Sequence, residues 1–365
     1  MLNIMIAVGA LIGALDCVFG NRLKLGDKFE EGFLCMGPTA LSMVGIICLA
    51  PLLGQVCQVA VSPLFRLFGI DPAMFGSILA NNMGGYPLAM SMADNQMLGL
   101  YSGLIVSSTL GATLVYTIPV ALGLIAREKR DDFAMGIMIG LVTVPVGAVA
   151  GGLVMGLDLV LLIRNTIPAV LVSALVIAGF LILKDRALRG FLYFATGLRI
   201  VTVLSLGVAA FAYISGITLV KGMEPIESAL AVVADMCVVQ LGSIPLAYLF
   251  IYLLKRPLVA AGRLLQINDV AAAAIPISCV NVMSAFMLIK DMDRRGIVLT
   301  AAWYTNAICI LTAHYAYTQS INPEMVAPMM VSKLVGGVLA VALAYFMTRT
   351  MTVGENIEED KIGKD

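Results

Sequence analysis

Residues 78–90 read ILANNMGGYPLAM. Asn81 and Asn82 each carry an amide that donates and accepts hydrogen bonds. Gly84 and Gly85 permit a backbone with positive φ and a close approach to a solute. Tyr86 adds a ring and a hydroxyl, and Pro87 restarts the chain. These residue types suit hydrogen bonding to a small polar molecule rather than covalent chemistry. A second cluster, PISCVNVMS at 276–284, offers Ser278, Cys279 and Asn281 in the same style. Charged candidates stand nearby in sequence terms. Asp235, in VVADMCVVQ, is the best-placed carboxylate for a cation, with pairing to Lys333 or Arg199 an equal alternative. Glu30 and Glu31 in FEEGF, and Asp16, sit near a helix end. His314, with Trp303 and Tyr304 upstream, forms either one aromatic–polar wall of a site or a packed core.

These groups sit in a chain of 365 residues that is 60% hydrophobic and 13% charged, with mean hydropathy +0.98. A soluble domain carries about 25% charged residues, so the composition points to a polytopic membrane protein. Net charge is zero, which gives no electrostatic footprint for nucleic acid. The seven cysteines form no CxxC pair and read as small packing residues. The single histidine excludes a His-based metal cluster, and no cofactor motif appears. No nucleophile elbow, Walker loop or zinc-protease motif is present, so the chain does not read as an enzyme.

A spanning helix needs about 20 apolar residues. Segments of that order fall at 2–19, 29–54, 97–126, 131–155, 159–183, 190–220, 226–254, 296–318 and 326–348. The first, which carries Asp16 and no basic leader, reads as a retained span. Two more segments, 71–92 and 268–289, are interrupted by the polar clusters, each behind a short amphipathic stretch. If both interrupted segments are re-entrant and the N-terminus is outside, eighteen of the 23 basic residues fall on the cytoplasmic side. Only Arg66, Arg164 and Lys221 stay outside. The positive-inside rule therefore favours about nine crossings, two re-entrant hairpins and a cytoplasmic C-terminus over eleven plain helices.

The order of elements repeats, with Glu30 and Glu227, Gly45 and Gly242, and Arg66 and Arg263 each 197 positions apart. The expected fold is all-α, with two inverted repeats at 1–155 and 190–350. A linking helix occupies 156–189 and a charged tail 351–365. Interrupted segments in inverted repeats characterise secondary transporters. Irregular backbone at membrane depth survives only where it is buried or lines a cavity.

The motifs FEEGFLCMGPTALSMVGIICLAPLL, NNMGGYPLA, YSGLIVSSTLG, LVTVPVGAVAGGL, GRLLQINDVAAAA, MDRRG and VSKLVGG resemble the ethanolamine-utilisation transporters, the EutH family. The similarity runs over nearly the whole chain and stops before the tail. It implies uptake of ethanolamine, as the protonated amine, across the bacterial cytoplasmic membrane. The alternative is an ion-coupled transporter or a channel for another small polar amine. Many members carry an acidic residue where this chain has Asn82, and Asp where it has Ala313. The ammonium then passes to another group, such as Asp235 or Glu30. A homodimer is expected by analogy with other hairpin transporters.

Overall fold

The computed structural model describes residues 2–79, 85–183 and 185–349, and every regular element among them is helical. The first half opens with α1 (Leu2–Val18), α2 (Gly26–Leu34), α3 (Met36–Ala60) and the short α4 (Ser62–Leu67). Two brief helices follow, α5 (Ala73–Leu79) and α6 (Gly85–Met92). Next come α7 (Gln96–Leu100), π-helical turns over Tyr101–Gly111 and Thr113–Thr117, and α8 (Ile118–Leu124). α9 (Arg130–Val154) closes this half, and α10 (Leu159–Leu183) leads out of it. The second half comprises α11 (Asp185–Ser215), α12 (Ile226–Leu265), α13 (Asp269–Ser278), α14 (Val282–Met287), α15 (Arg294–Ala307), α16 (Ala313–Ile321) and α17 (Val326–Met347).

Among the described residues, seven helical stretches are long and apolar enough to cross a membrane. They cover Gly26–Ala60, Gln96–Leu124, Arg127–Val154, Leu159–Leu183, Arg186–Ser215, Ile226–Leu253 and Pro323–Met347. Of the other two expected spans, α1 is apolar but only 17 residues long. The segment expected at 296–318 is not one helix: it breaks at 308–312, between α15 and α16. The expected interfacial stretch after 254 is not separate either. α12 continues through it for 40 residues in all, with Pro245 and Pro257 inside the helix.

The centre is built from α9, α15 and α17, which small residues bring together. A Cβ on Gly136 or Gly140 would strike α15, and one on Gly147 or Gly151 would strike α17. Small residues at such spacing let helix backbones touch in a membrane, where apolar attraction between helices is weak. Polar side chains tie the same seam. Asn306 donates from Nδ2 to the Gly140 carbonyl and to Thr143 Oγ1, both at 3.1 Å, and Thr143 Oγ1 donates to the Gly336 carbonyl at 3.0 Å. Around this centre, Gly45 of α3 lies against the Thr202 carbonyl of α11. Gly242 of α12 lies against the Ile6 carbonyl of α1.

α5 and α6 pack against each other as a hairpin whose legs touch where Gly76 faces Ala89. Each leg, at 7 and 8 residues, rises only about 11–12 Å, far short of the ~30 Å apolar layer. The two ends are pinned together. The Asp71 carboxylate accepts the backbone N–H groups of Ala73, Asp94 and Asn95 at 2.9, 3.3 and 2.9 Å. Arg66 grips Asp94 with two hydrogen bonds of 2.8 and 2.6 Å. α13 and α14 form the second such hairpin, with its ends tied at Asn268. That residue donates from its backbone to Asp293 Oδ1 at 3.0 Å and from Nδ2 to the Asp291 carbonyl at 2.9 Å. Asp71 and Asn268 stand 197 positions apart, as do Asp94 and Asp291.

Candidate functional site

The tip of the second hairpin meets the break between α15 and α16. Residues 279–281 are non-helical, which frees the carbonyls of the last α13 turn. The unwound segment takes them up: Cys309 N–H donates to Ser278 O at 2.8 Å and Leu311 N–H to Cys279 O at 3.0 Å. Thr312 Oγ1 donates to Val280 O at 2.7 Å. Two irregular segments thus satisfy one another's backbone groups. Cys309 sustains this with a positive φ of 50°, uncommon for a residue with a side chain.

Below the break lies Lys333 of α17, which is fully buried. Its amino group donates to the carbonyls of Ser108, Asn306 and Ile308 at 2.6, 3.2 and 3.4 Å. Ser108 belongs to the π-helical stretch, whose wider winding breaks the ordinary carbonyl register, as π segments often do at functional sites. The Ile308 carbonyl also lies 3.0 Å from His314 Nδ1. Lys333 therefore binds carbonyls and not Asp235, against the pairing entertained from sequence. Asp235 is exposed on α12.

On the other flank of the hairpin a cavity of about 440 Å³ opens between α2, α12, α13 and α14. That is space on the order of a dozen waters. Glu31 and Lys28 of α2, Tyr248 of α12 and Asn281 at the hairpin tip line it, together with the apolar Ile277 and Val280. Asn281 caps α14 by accepting the Ser284 N–H at 3.1 Å, and its Nδ2 donates to Glu31 Oε1 at 3.1 Å. Glu31 Oε2 accepts from Lys28 Nζ at 2.6 Å, and that ammonium lies 5.8 Å from the Tyr248 ring centroid. α2 reaches this place because Gly32 sits directly on the α12 backbone at Gln240 and Leu241. The Lys28 and Glu31 side chains keep 32% and 29% of their surface exposed, so solvent reaches the pair.

Of the residues singled out from sequence, Asn281 lines this cavity. Glu30 does not: it is exposed and accepts from Cys17 Sγ at 3.2 Å. Its neighbour Glu31 takes the place at the hairpin. Trp303 packs against Gly337 and lines a smaller cavity of about 170 Å³ with Ile275 and Val338. Ala272 of α13 borders both cavities. His314 is buried beside the break. Tyr86 packs over Gly103 on the π-helical stretch, and Gly85 is buried at the start of α6. Asn81, Asn82 and Gly84 lie outside the described residues. Asp16 has a structural task, accepting the N–H groups of Leu23, Leu25 and Gly26 at 2.9, 2.9 and 3.1 Å. Sequence reasoning missed Lys28 and Tyr248 as cavity residues. Only the three-residue spacing of Lys28 and Glu31 hinted at a pair.

The family model described as "Ethanolamine utilisation protein, EutH" matches residues 1–347. A "Probable ethanolamine permease EutH" of Listeria monocytogenes is 37% identical, covering 97% of this chain and 95% of that protein. The "Uncharacterized protein YxeR" of Bacillus subtilis is 36% identical, covering 94% and 93%. A "Probable ethanolamine permease EutH" of Escherichia coli is 35% identical, covering 90% and 87%. No solved structure matches the chain.

Proposed function

The chain belongs to the EutH family of ethanolamine utilisation proteins, and we propose that it is a permease that takes up ethanolamine, as the protonated amine, across a bacterial cytoplasmic membrane for catabolism. The observation that carries the site is the Glu31–Asn281 hydrogen bond within a cavity walled by Tyr248. A carboxylate and an aromatic face suit an ammonium, and an amide suits the alcohol. Asn81, Asn82 and Gly84, which lie outside the described residues, and Gly85 and Tyr86 at the start of α6 are the further solute contacts in this reading. His314 and Trp303 belong to the framework around the second tip.

We place nine crossings around two re-entrant hairpins, with the N-terminus outside and the C-terminus cytoplasmic. The pinned ends at Asp71 and Asn268 favour re-entrance, because each hairpin leaves on the side where it enters. Inverted repeats at 1–155 and 190–350 are favoured by paired contacts: Gly45 on α11 and Gly242 on α1, at the same repeat position. The sparsely buried α11 offers an apolar face to lipid or to a twin in a homodimer.

Membrane potential alone favours entry of a cation by about 2.3 kcal/mol per 100 mV, enough for ~fifty-fold accumulation. The expected result is uptake of labelled ethanolamine into proteoliposomes under an inside-negative potential without any ion gradient. Uptake that requires a sodium or proton gradient would favour the ion-coupled alternative, and non-saturating flux would favour a channel.

A further inference from the structure

The cavity already contains an alkylammonium. Lys28 ends in a primary ammonium on a flexible four-carbon stem. Its Nζ lies 2.6 Å from Glu31 Oε2 and 5.8 Å from the Tyr248 ring centroid. The other Glu31 oxygen is taken by Asn281 Nδ2. The groups suited to the solute's charged end are therefore filled by a side chain of the same chemistry. We propose that Lys28 is a tethered competitor for the solute: its ammonium occupies the cation subsite when the cavity is empty and swings out when a solute ammonium binds.

This inference rests on the uptake reading above, which places a protonated amine in the same cavity. Two ammoniums on one carboxylate repel each other, so solute and Lys28 alternate at Glu31. The exchange is easy, since a third of the Lys28 side chain is already exposed and such partly exposed pairs hold weakly. An ordinary helix-surface pair at this spacing would need neither the ring of α12 nor the amide of the hairpin tip. The swap keeps the carboxylate compensated in both states, so neither loading nor release leaves Glu31 as a lone charge beside the apolar hairpin. Lys28 thus weakens resting affinity and drives discharge of the solute into the compartment from which Lys28 itself reaches in.

The test is equilibrium binding of labelled ethanolamine and labelled methylamine to the full chain in lipid nanodiscs, with thermal unfolding of each variant alongside. Lys28→Met should tighten binding of both amines roughly two- to five-fold, the size of a partly exposed ion pair. Lys28→Arg should bind no tighter than wild type, and Glu31→Gln should lose binding. Release measured by dilution should slow in Lys28→Met by a similar factor. Unchanged or weaker binding by Lys28→Met, with only a lowered unfolding temperature, would overturn the competitor role and leave the uptake reading standing. Methylamine binding with this Lys28 dependence but no ethanolamine binding would do the reverse. Binding of neither amine by the wild type would sink both.

Discussion

Asn281 and Glu31, 250 positions apart, are joined by a 3.1 Å hydrogen bond from Nδ2 to Oε1. The bond fastens the tip of the second hairpin to α2, and it sets the carboxylate that matters apart from its neighbour. Glu31→Gln should abolish ethanolamine uptake at pH 6–7 in reconstituted vesicles, because it removes the counter-charge. Glu30→Gln should leave uptake within about two-fold, since Glu30 is exposed, lies off the cavity lining, and its hydrogen bond goes to Cys17 rather than to the hairpin. Equal loss in both variants would mean that α2 matters only for folding.

Asn281→Ala should weaken uptake less than Glu31→Gln does. It removes one hydrogen bond to the carboxylate, about 1.5–3 kcal/mol for a charged acceptor, and the cap of α14, about 1 kcal/mol. A raised KM with retained transport is the expected reading. Asp235→Asn, on the exposed face of α12, should transport as wild type. Its failure would return the cation site to α12.

Lys333→Met should fold with lowered stability. The side chain keeps its volume, but three carbonyls lose a buried donor, and each unsatisfied buried group costs about 1–3 kcal/mol. Thermal unfolding in detergent would measure the drop. An unchanged midpoint would show that water replaces the amine at the break.

Arg66 and Asp94 should lie on one side of the membrane, because they share two hydrogen bonds. Single cysteines at these positions, in a cysteine-free background, should both react with an impermeant thiol reagent added outside. Labelling from opposite sides would refute the re-entrant hairpin. The hydrogen bond from Arg66 holds the Asp94 carboxyl below its ordinary range. The pair therefore contributes above about pH 3.9, the ordinary value, and its contribution fades as pH falls through the lowered one.

Gly45→Leu and Gly242→Leu should each lower the yield of folded protein. Both place a side chain against a facing carbonyl, of Thr202 and of Ile6, and overpacking of this kind costs about 1–3 kcal/mol or more. Comparable losses in the two variants are expected if the sites are equivalent repeats. A loss confined to one would argue against that equivalence.

Much of this protein is legible in its sequence. Long apolar segments with little charge dictate membrane helices, because the backbone must satisfy itself wherever water is absent. The polar and small residues in PISCVNVMS mark where a helix stops at the second hairpin, and ILANNMGGYPLAM runs from α5 into α6, the legs of the first. Tertiary structure decided the rest. Glu30 and Glu31 are the same residue type in adjacent positions, but consecutive helical residues point about 100° apart. Which of the two meets Asn281 depends on how Gly32 seats α2 on α12. The break at 308–312 carries no proline or glycine to announce it; it exists because the hairpin tip offers carbonyls that an unwound segment can satisfy. Lys333 reads as a charge in need of a carboxylate, yet carbonyls from α15, the break and the π-helical turns hold it instead. Local pattern fixes what a segment can become on its own. Partners as far apart as Asn3 and Tyr315, 312 positions, are fixed only once the helices have packed.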